Sequence, residues 1–265
     1  MSWTWREAPT PARLSLAAAV RLHALVQWRR MWTGGAVWAA LAFAVLVAAG
    51  AAAQMRYVGG WSETIAGLPL FAVGIVGLAL GGVGLRTDVE QGALELFYLR
   101  PRGPLAVPLG RWWATACVSA AVGGLAWVVA VVASLGMPVA VECAAAVRAG
   151  WAILLASLTY AAVFIAIAAW SERATVVGLG WYGLGDYLLP KFHKLWAALS
   201  PRSHALRLIE GRYPRDITPL DLLQPPATPV ESLTDWLVPA ESAALLAIAA
   251  VCLWAAAFRF RRSAR

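Results

Sequence analysis

The stretch TDVEQGALELFYLRPR, residues 87–102, stands between two long runs without a single charge. Before it comes IAGLPLFAVGIVGLALGGVGL (65–85), and after it WWATACVSAAVGGLAWVVAVVASLGM (112–137). Each run exceeds the roughly 20 apolar residues needed to cross the hydrocarbon core of a bilayer. A short charged insert between two such runs implies a turn at a membrane surface. It fixes the first pair of spans and sets the frame for the rest.

Working outward, residues 34–53 and 149–170 are also uncharged throughout. Residues 174–189 form a shorter run carrying Asp186, and residues 236–258 carry Glu241 near their start. The expected fold is therefore an all-α integral membrane protein with six transmembrane helices in one domain, residues 1–265. Hydrophobic residues make up 61% of the chain and charged residues 14%, a balance that excludes an ordinary soluble domain.

Arginine placement sets the expected orientation, because basic residues concentrate in cytoplasmic segments. Arg6, Arg13, Arg21, Arg29 and Arg30 precede the first span. Arg86, Arg100, Arg102 and Arg111 flank the insert, Arg173 follows the fourth span, and Arg259, Arg261, Arg262 and Arg265 end the chain. The opposite side holds Arg56 and Arg148 in short loops and further basic residues in one long loop, 191–235. Both termini are expected in the cytoplasm. The net charge of +8 follows from this bias, so no nucleic-acid partner is implied.

Residues 12–32 read as an interfacial helix, with Leu14, Ala18, Leu22, Leu25 and Trp32 able to share a face while Arg21, Arg29 and Arg30 stay wet. Met1 to Pro11 is polar and contains proline, unlike a cleaved signal. In the long loop, 194–210 is expected to form a helix on the membrane surface. Pro214, Pro219, Pro225, Pro226 and Pro229 break regular structure beyond it. Gly77 and Gly81 form a G-x-x-x-G pair that allows close helix approach, with the partner helix left open. Many of the 15 tryptophans fall at expected membrane interfaces.

Chemistry is sparse. There is no G-x-x-x-x-G-K-[ST], and the only lysines are Lys191 and Lys194, so the chain has no P-loop ATPase site of its own. Gly183-Leu184-Gly185-Asp186 echoes an intramembrane aspartyl protease motif. That chemistry needs a second membrane aspartate, and Asp88, Asp216, Asp221 and Asp235 lie outside the span interiors. His23, His193 and His204 lie outside the spans, which excludes an intramembrane Ser–His pair. Cys117 and Cys252 fall inside spans and Cys143 outside, leaving no disulfide framework. No metal site or cofactor is expected in this chain. Asp186 reads as a group paired with Lys191 or facing surface water, or else as a contact for a polar substrate. Glu241 is read in the same way, and Trp181 as a possible pathway residue.

The insert itself has helical character. Asp88 and Glu90 suit a helix start, Leu94, Phe97 and Tyr98 share a face, and Pro101 with Gly103-Pro104 stops the turn. Glu90, Gly92, Leu94, Glu95, Leu96 and Pro101 match in place the first intracellular segment of type-2 ABC transporter permeases, which the chain resembles. Ala93 stands where the family usually has threonine. Arg111, after Gly110, stands where it has lysine.

The resemblance implies that 87–102 is a coupling helix docking on a separate nucleotide-binding ATPase subunit, with Glu90, Leu94, Glu95, Phe97 and Arg102 as contacts. ATP and Mg would be bound by that partner. A second permease copy, or a homologous permease, would complete the pathway in a bacterial inner membrane, with membrane lipids as further partners. Export of an apolar or amphipathic substrate fits the paucity of polar groups in the spans. A membrane scaffold or assembly subunit is the alternative, told apart by the absence of a neighbouring ATPase.

Overall fold

The computed structural model describes residues 15–33, 35–57, 61–85, 88, 103–134, 143–192, 194–210 and 234–263. Those residues are helical almost throughout. We number the helices α1 (Leu16–Thr33), α2 (Ala36–Tyr57), α3 (Trp61–Val76), α4 (Gly103–Ser134), α5 (Cys143–Trp170), α6 (Ala174–Gly180), α7 (Lys194–Leu199), α8 (Pro201–Glu210) and α9 (Thr234–Ser263). Helix α3 continues as a π-helical segment, Gly77–Val83. Helix α6 continues as another, Trp181–Leu188, and closes with a short 3-10 turn, Leu189–Lys191.

Four stretches are long and apolar enough to cross a membrane: Ala36–Gln54, Leu105–Ser134, Ala145–Trp170 and Pro239–Arg262. They make the chain an all-α, multi-pass membrane protein. The expected spans at 65–85 and 174–189 are helical but interrupted by the π segments, and the first of them contributes a shorter apolar helix, Gly67–Val83. Helix α4 begins nine residues before the expected start at 112, because Gly103-Pro104 opens the helix rather than merely ending the insert.

Side-chain contacts give the directions. Trp112 of α4 donates to the Leu158 carbonyl of α5 (2.8 Å) and Trp127 to that of Ala146 (3.0 Å), so α4 and α5 are antiparallel. Trp151 reaches Ser242, Thr159 the Leu245 carbonyl and Trp170 the Ala255 carbonyl, so α5 and α9 run parallel. One end of the bundle, here the near end, therefore holds α1, the start of α4 and the finish of α9. The far end holds α7 and α8.

Helix α5 is the central element. Of its apolar window 72% is buried, against 28% in α9. Tyr160, Phe164, Ile153 and Leu155 of α5 anchor the largest core cluster. The main partner of the G-x-x-x-G pair is this helix, with Thr115 of α4 also against Gly81. A Cβ on Gly77 would lie 3.3 Å from Tyr160 and Phe164, and one on Gly81 would lie 3.5 Å from the Ala161 carbonyl. Burying that face excludes lipid from the α3–α5 contact, while Val45, Leu46, Val132, Val251 and Trp254 remain exposed on the lipid-facing surface.

One expectation is corrected here. Residues 194–210 form two helices, because Ser200-Pro201 breaks the run. Helix α8 packs into the bundle against α3, α5 and α9 rather than lying on a surface. Leu208 and Ile209 are 1% and 2% exposed. Helix α1 keeps Arg21, Arg29 and Arg30 exposed as expected and adds an inward polar contact. Its inward stripe is His23, Gln27 and Met31, while Leu22, Leu25 and Trp32 face outward. In a membrane the apolar side needs no protein cover, so the polar stripe takes the protein contact.

Candidate functional site

Two clusters of buried polar groups stand out, one at each end. At the near end α1 crosses the start of α4 at Gly110, where an added Cβ would lie 2.9 Å from the Ala24 backbone nitrogen and from His23. The absence of a side chain there lets the two backbones approach. Arg111, next in sequence, is 5% exposed. Its Nη1 bonds to the Asp88 carboxylate and to Gln27 Oε1 (2.8 Å). Its Nε and Nη2 both donate to the Leu80 carbonyl, at 3.1 and 3.0 Å.

That carbonyl is available because of the π segment. The Gly84 N–H bonds to the Ala79 carbonyl, five residues back, rather than to Leu80, four back. Gly84 also supplies the space, since a Cβ there would lie 2.0 Å from Arg111 Nη2. Arg30 completes the cluster with a 3.1 Å bond to Asp88. Gln27 orients its amide accordingly: the oxygen accepts from Arg111, and the nitrogen donates to Asp88 (3.2 Å) and faces His23 Nε2 (3.4 Å). Burial, then the Arg111 charge, push the His23 pKa from 6.5 down to about 4, and Arg30 adds to this, while Asp88 pulls upward. The ring is neutral at pH 7, which suits acceptance from Gln27.

Asp88 is thus the meeting point of α1, the π segment of α3 and α4. It is also the one described residue of the insert. Glu90, Leu94, Glu95, Phe97 and Arg102 lie outside the described residues, as do 1–14 and 211–233.

The far cluster contains the other candidates. Asp186, on the π segment of α6, is 1% exposed. It does not pair with Lys191, which is exposed. Its carboxylate accepts instead from Tyr160 of α5, from Ser200 Oγ (2.5 Å) and from the Arg202 N–H (3.2 Å). Ser200 caps α8: its Oγ accepts from the Ser203 N–H at 3.1 Å, with Pro201 in the first turn. The carboxylate therefore sits at the positive end of α8. Arg202 turns back over the Tyr187 ring, 4.2 Å from its centroid.

Glu241, 4% exposed, holds the side of the same helix. It bonds to His204 Nδ1 and, at 2.9 Å, to Arg207 Nη1. His204 Nε2 meets the Ala198 carbonyl at 2.9 Å, and Arg207 meets that of Ala197 at 3.4 Å, tying α7 to α8. His204 is outside the apolar spans yet 5% exposed inside the bundle, a placement hidden from the sequence by the long loop that carries it. Trp181 stands beside these groups, edge-on to Tyr160 and Phe164 with centroids 6.4 and 5.8 Å apart. Tyr182 fills the gap between α3 and α6, where a Cβ on Gly74 would come within 2.4 Å of its ring. The structure thus brings Asp186, Trp181 and Glu241 around α8, and assigns both carboxylates protein partners.

Sequence reasoning passed over Gln27 and Tyr160, weighed His23 only as a catalytic candidate, and read Arg111 only as a motif position and an orienting charge. The His23–Gln27 spacing of four residues and the Ser200-Pro201 cap signal were available. Nothing in the sequence pairs Arg111 with Asp88 across the insert. No family model matches the chain, and no curated protein matches it.

Proposed function

We propose that this chain is the membrane-spanning permease subunit of an ATP-driven exporter of the type-2 ABC kind, driven by a separate ATPase that grips residues 87–102. The observation that carries the reading is the rooting of Asp88. A segment that transmits force must be fixed to what it moves, and Asp88 is bonded to Arg111, Gln27 and Arg30 within a buried cluster. Closure of the ATPase pair on ATP displaces the insert. The displacement reaches α4 through Arg111 and α1 through Gln27 and Arg30.

From α4 it passes inward along close contacts: a Cβ on Gly123 would lie 2.5 Å from Val73 and 2.7 Å from Ile153. At the far end α8, seated by Asp186 and Glu241, closes the pathway and gates release. In this reading α3 and α6 with their π segments complete six spans, both termini face the cytoplasm of a bacterial cell, and a second permease forms the other half of the pathway. The Arg-rich near end supports that orientation.

The test is co-purification with the ATPase encoded beside this chain, followed by ATPase activity in lipid. Burying Leu94 and Phe97 in a partner groove contributes about 1.5–3 kcal/mol each. Leu94→Ala with Phe97→Ala is expected to weaken ATPase binding by more than about tenfold. Glu90→Ala is expected to leave the chain folded and lower transport-coupled hydrolysis. Wild-type binding and activity in the double variant would remove the coupling role. Absence of any neighbouring ATPase would favour a scaffold subunit instead.

A further inference from the structure

The near end carries charges that the Asp88 cluster does not use. Arg21 and Arg29 are exposed on α1, interleaved with exposed Leu22, Leu25 and Trp32. Arg261 and Arg262 are exposed at the last turn of α9. Among the described residues, Arg21, Arg29 and Arg261 meet no carboxylate. Arg262 lies over the Phe258 ring, 4.4 Å from its centroid.

The two sets stand at one depth. Helix α1 meets α4 at Gly110. Helix α9 meets α4 at Val107, which clusters with Phe260 and Leu85. Those positions on α4 are about 5 Å apart along the helix axis. Exposed indoles mark the same level. Trp28, Trp32 and Trp38 meet edge to face with centroids 6.0 and 5.4 Å apart, and Trp113 and Trp170 are more than half exposed. Indole rings favour the headgroup layer.

An arginine set among exposed apolar side chains is stable where its stem lies against acyl chains and its guanidinium reaches the headgroups. The planar fork of the guanidinium matches phosphate oxygens. A net negative headgroup supplies the countercharge that no described carboxylate provides, and a zwitterionic headgroup does not. We infer that the near end binds acidic phospholipid headgroups, with α1 lying along them and the end of α9 completing the site. The inference needs no ATPase partner and stands apart from the transport reading.

The test uses the purified full chain in phosphatidylcholine bilayers doped with spin-labelled phosphatidylglycerol. The bound fraction, compared with that of spin-labelled phosphatidylcholine, gives the lipid preference. Wild type is expected to prefer phosphatidylglycerol, with the preference falling as salt rises. Each of Arg21→Gln, Arg29→Gln and Arg261→Gln is expected to lower it roughly fivefold, the equivalent of ~1 kcal/mol per basic residue at a charged membrane surface. The corresponding lysine variants should retain most of it. Arg148→Gln, on the far part of α5, should leave it unchanged. A triple glutamine variant with undiminished preference, or a wild type without any, would overturn the inference. So would displacement of the labelled lipid by soluble glycerol phosphate, since the site would then hold free phosphate rather than a membrane surface.

Discussion

Asp88 at the near end is held by two arginines from two helices, whereas Asp186 at the far end is held by a tyrosine, a serine and the Arg202 N–H in the first turn of α8. Both carboxylates are buried, at 8% and 1% exposure. Their partners differ because their surroundings differ. Arg30 keeps about half its side chain exposed, so part of the near cluster remains solvated and the cost of collecting charges is moderated. Asp186 is enclosed by α5, α6 and α8. A guanidinium bonded to it there would itself need desolvation, at several kcal/mol. Hydroxyls and a helix terminus supply compensating dipoles without a second buried ion. The near cluster is therefore a charged junction between elements, and the far one a seat for a single short helix.

The largest expected effect tests the near junction. Arg111→Ala strips the Leu80 carbonyl and Gln27 Oε1 of their partner and leaves Asp88 with Arg30 and Gln27. Breaking a buried ion pair from one side costs about 3–5 kcal/mol. Unfolding of the purified chain in an SDS titration should show that loss. Asp186→Asn, which retains an acceptor oxygen, should lose only ~1 kcal/mol in the same assay. A reversed order would show that the far seat, not the junction, carries the charge-dependent stability.

A somewhat smaller effect sharpens the electrostatics of the near end. The His23 pKa is lowered from 6.5 to about 4, so the folded state keeps the ring neutral where the unfolded chain takes up a proton. The contribution is fully present above about pH 6.5. It falls as pH declines toward about 4 and stops falling below that. Linkage puts the total at about 3 kcal/mol. His23→Gln should flatten stability across that window. A slope unchanged by the substitution would assign the acid sensitivity to other groups.

The same contrast explains what the sequence disclosed. Span positions were legible because lipid demands long uncharged runs, and four of the six expected, 34–53, 112–137, 149–170 and 236–258, coincide with the four membrane-length helices, whereas the equally uncharged 65–85 contributes a shorter one. The two π-interrupted helices were legible as apolar segments, but composition cannot register a change in hydrogen-bond spacing. The inward side of α1 was hidden for a related reason. Periodicity separates apolar from polar positions, yet in a bilayer the apolar positions of a helix face lipid as readily as protein. Asp186 and Glu241 were visible as charges in or near spans. Their partners were not, because Ser200, Arg202, His204 and Arg207 come from a segment that reads as an outer loop and returns into the bundle. The contacts inferred for Glu90, Leu94, Glu95, Phe97 and Arg102 fall outside the described residues.

The smallest effect concerns whether the far seat is one unit. Ser200 Oγ accepts from the Ser203 N–H and donates to Asp186, so it joins the cap of α8 to the carboxylate. Ser200→Ala removes a cap worth ~1 kcal/mol and a hydrogen bond to Asp186 worth about 1 kcal/mol, with the two contributions sharing one oxygen. We expect a net loss of about 2 kcal/mol. If the carboxylate acts through that hydroxyl, Ser200→Ala should cost about 1 kcal/mol less once Asp186 is already Asn, the signature of coupled neighbours in a double-mutant cycle. Accessibility provides a second readout. Leu208 is 1% exposed, so with Cys117, Cys143 and Cys252 replaced by serine, Leu208→Cys should resist a thiol reagent and react when Ser200→Ala loosens α8. Strict additivity together with an unreactive Leu208→Cys would mean that the Asp186–Ser200 pair does not hold α8, leaving Glu241 and apolar packing to do so, and the contrast between the two ends would then rest on the near junction only.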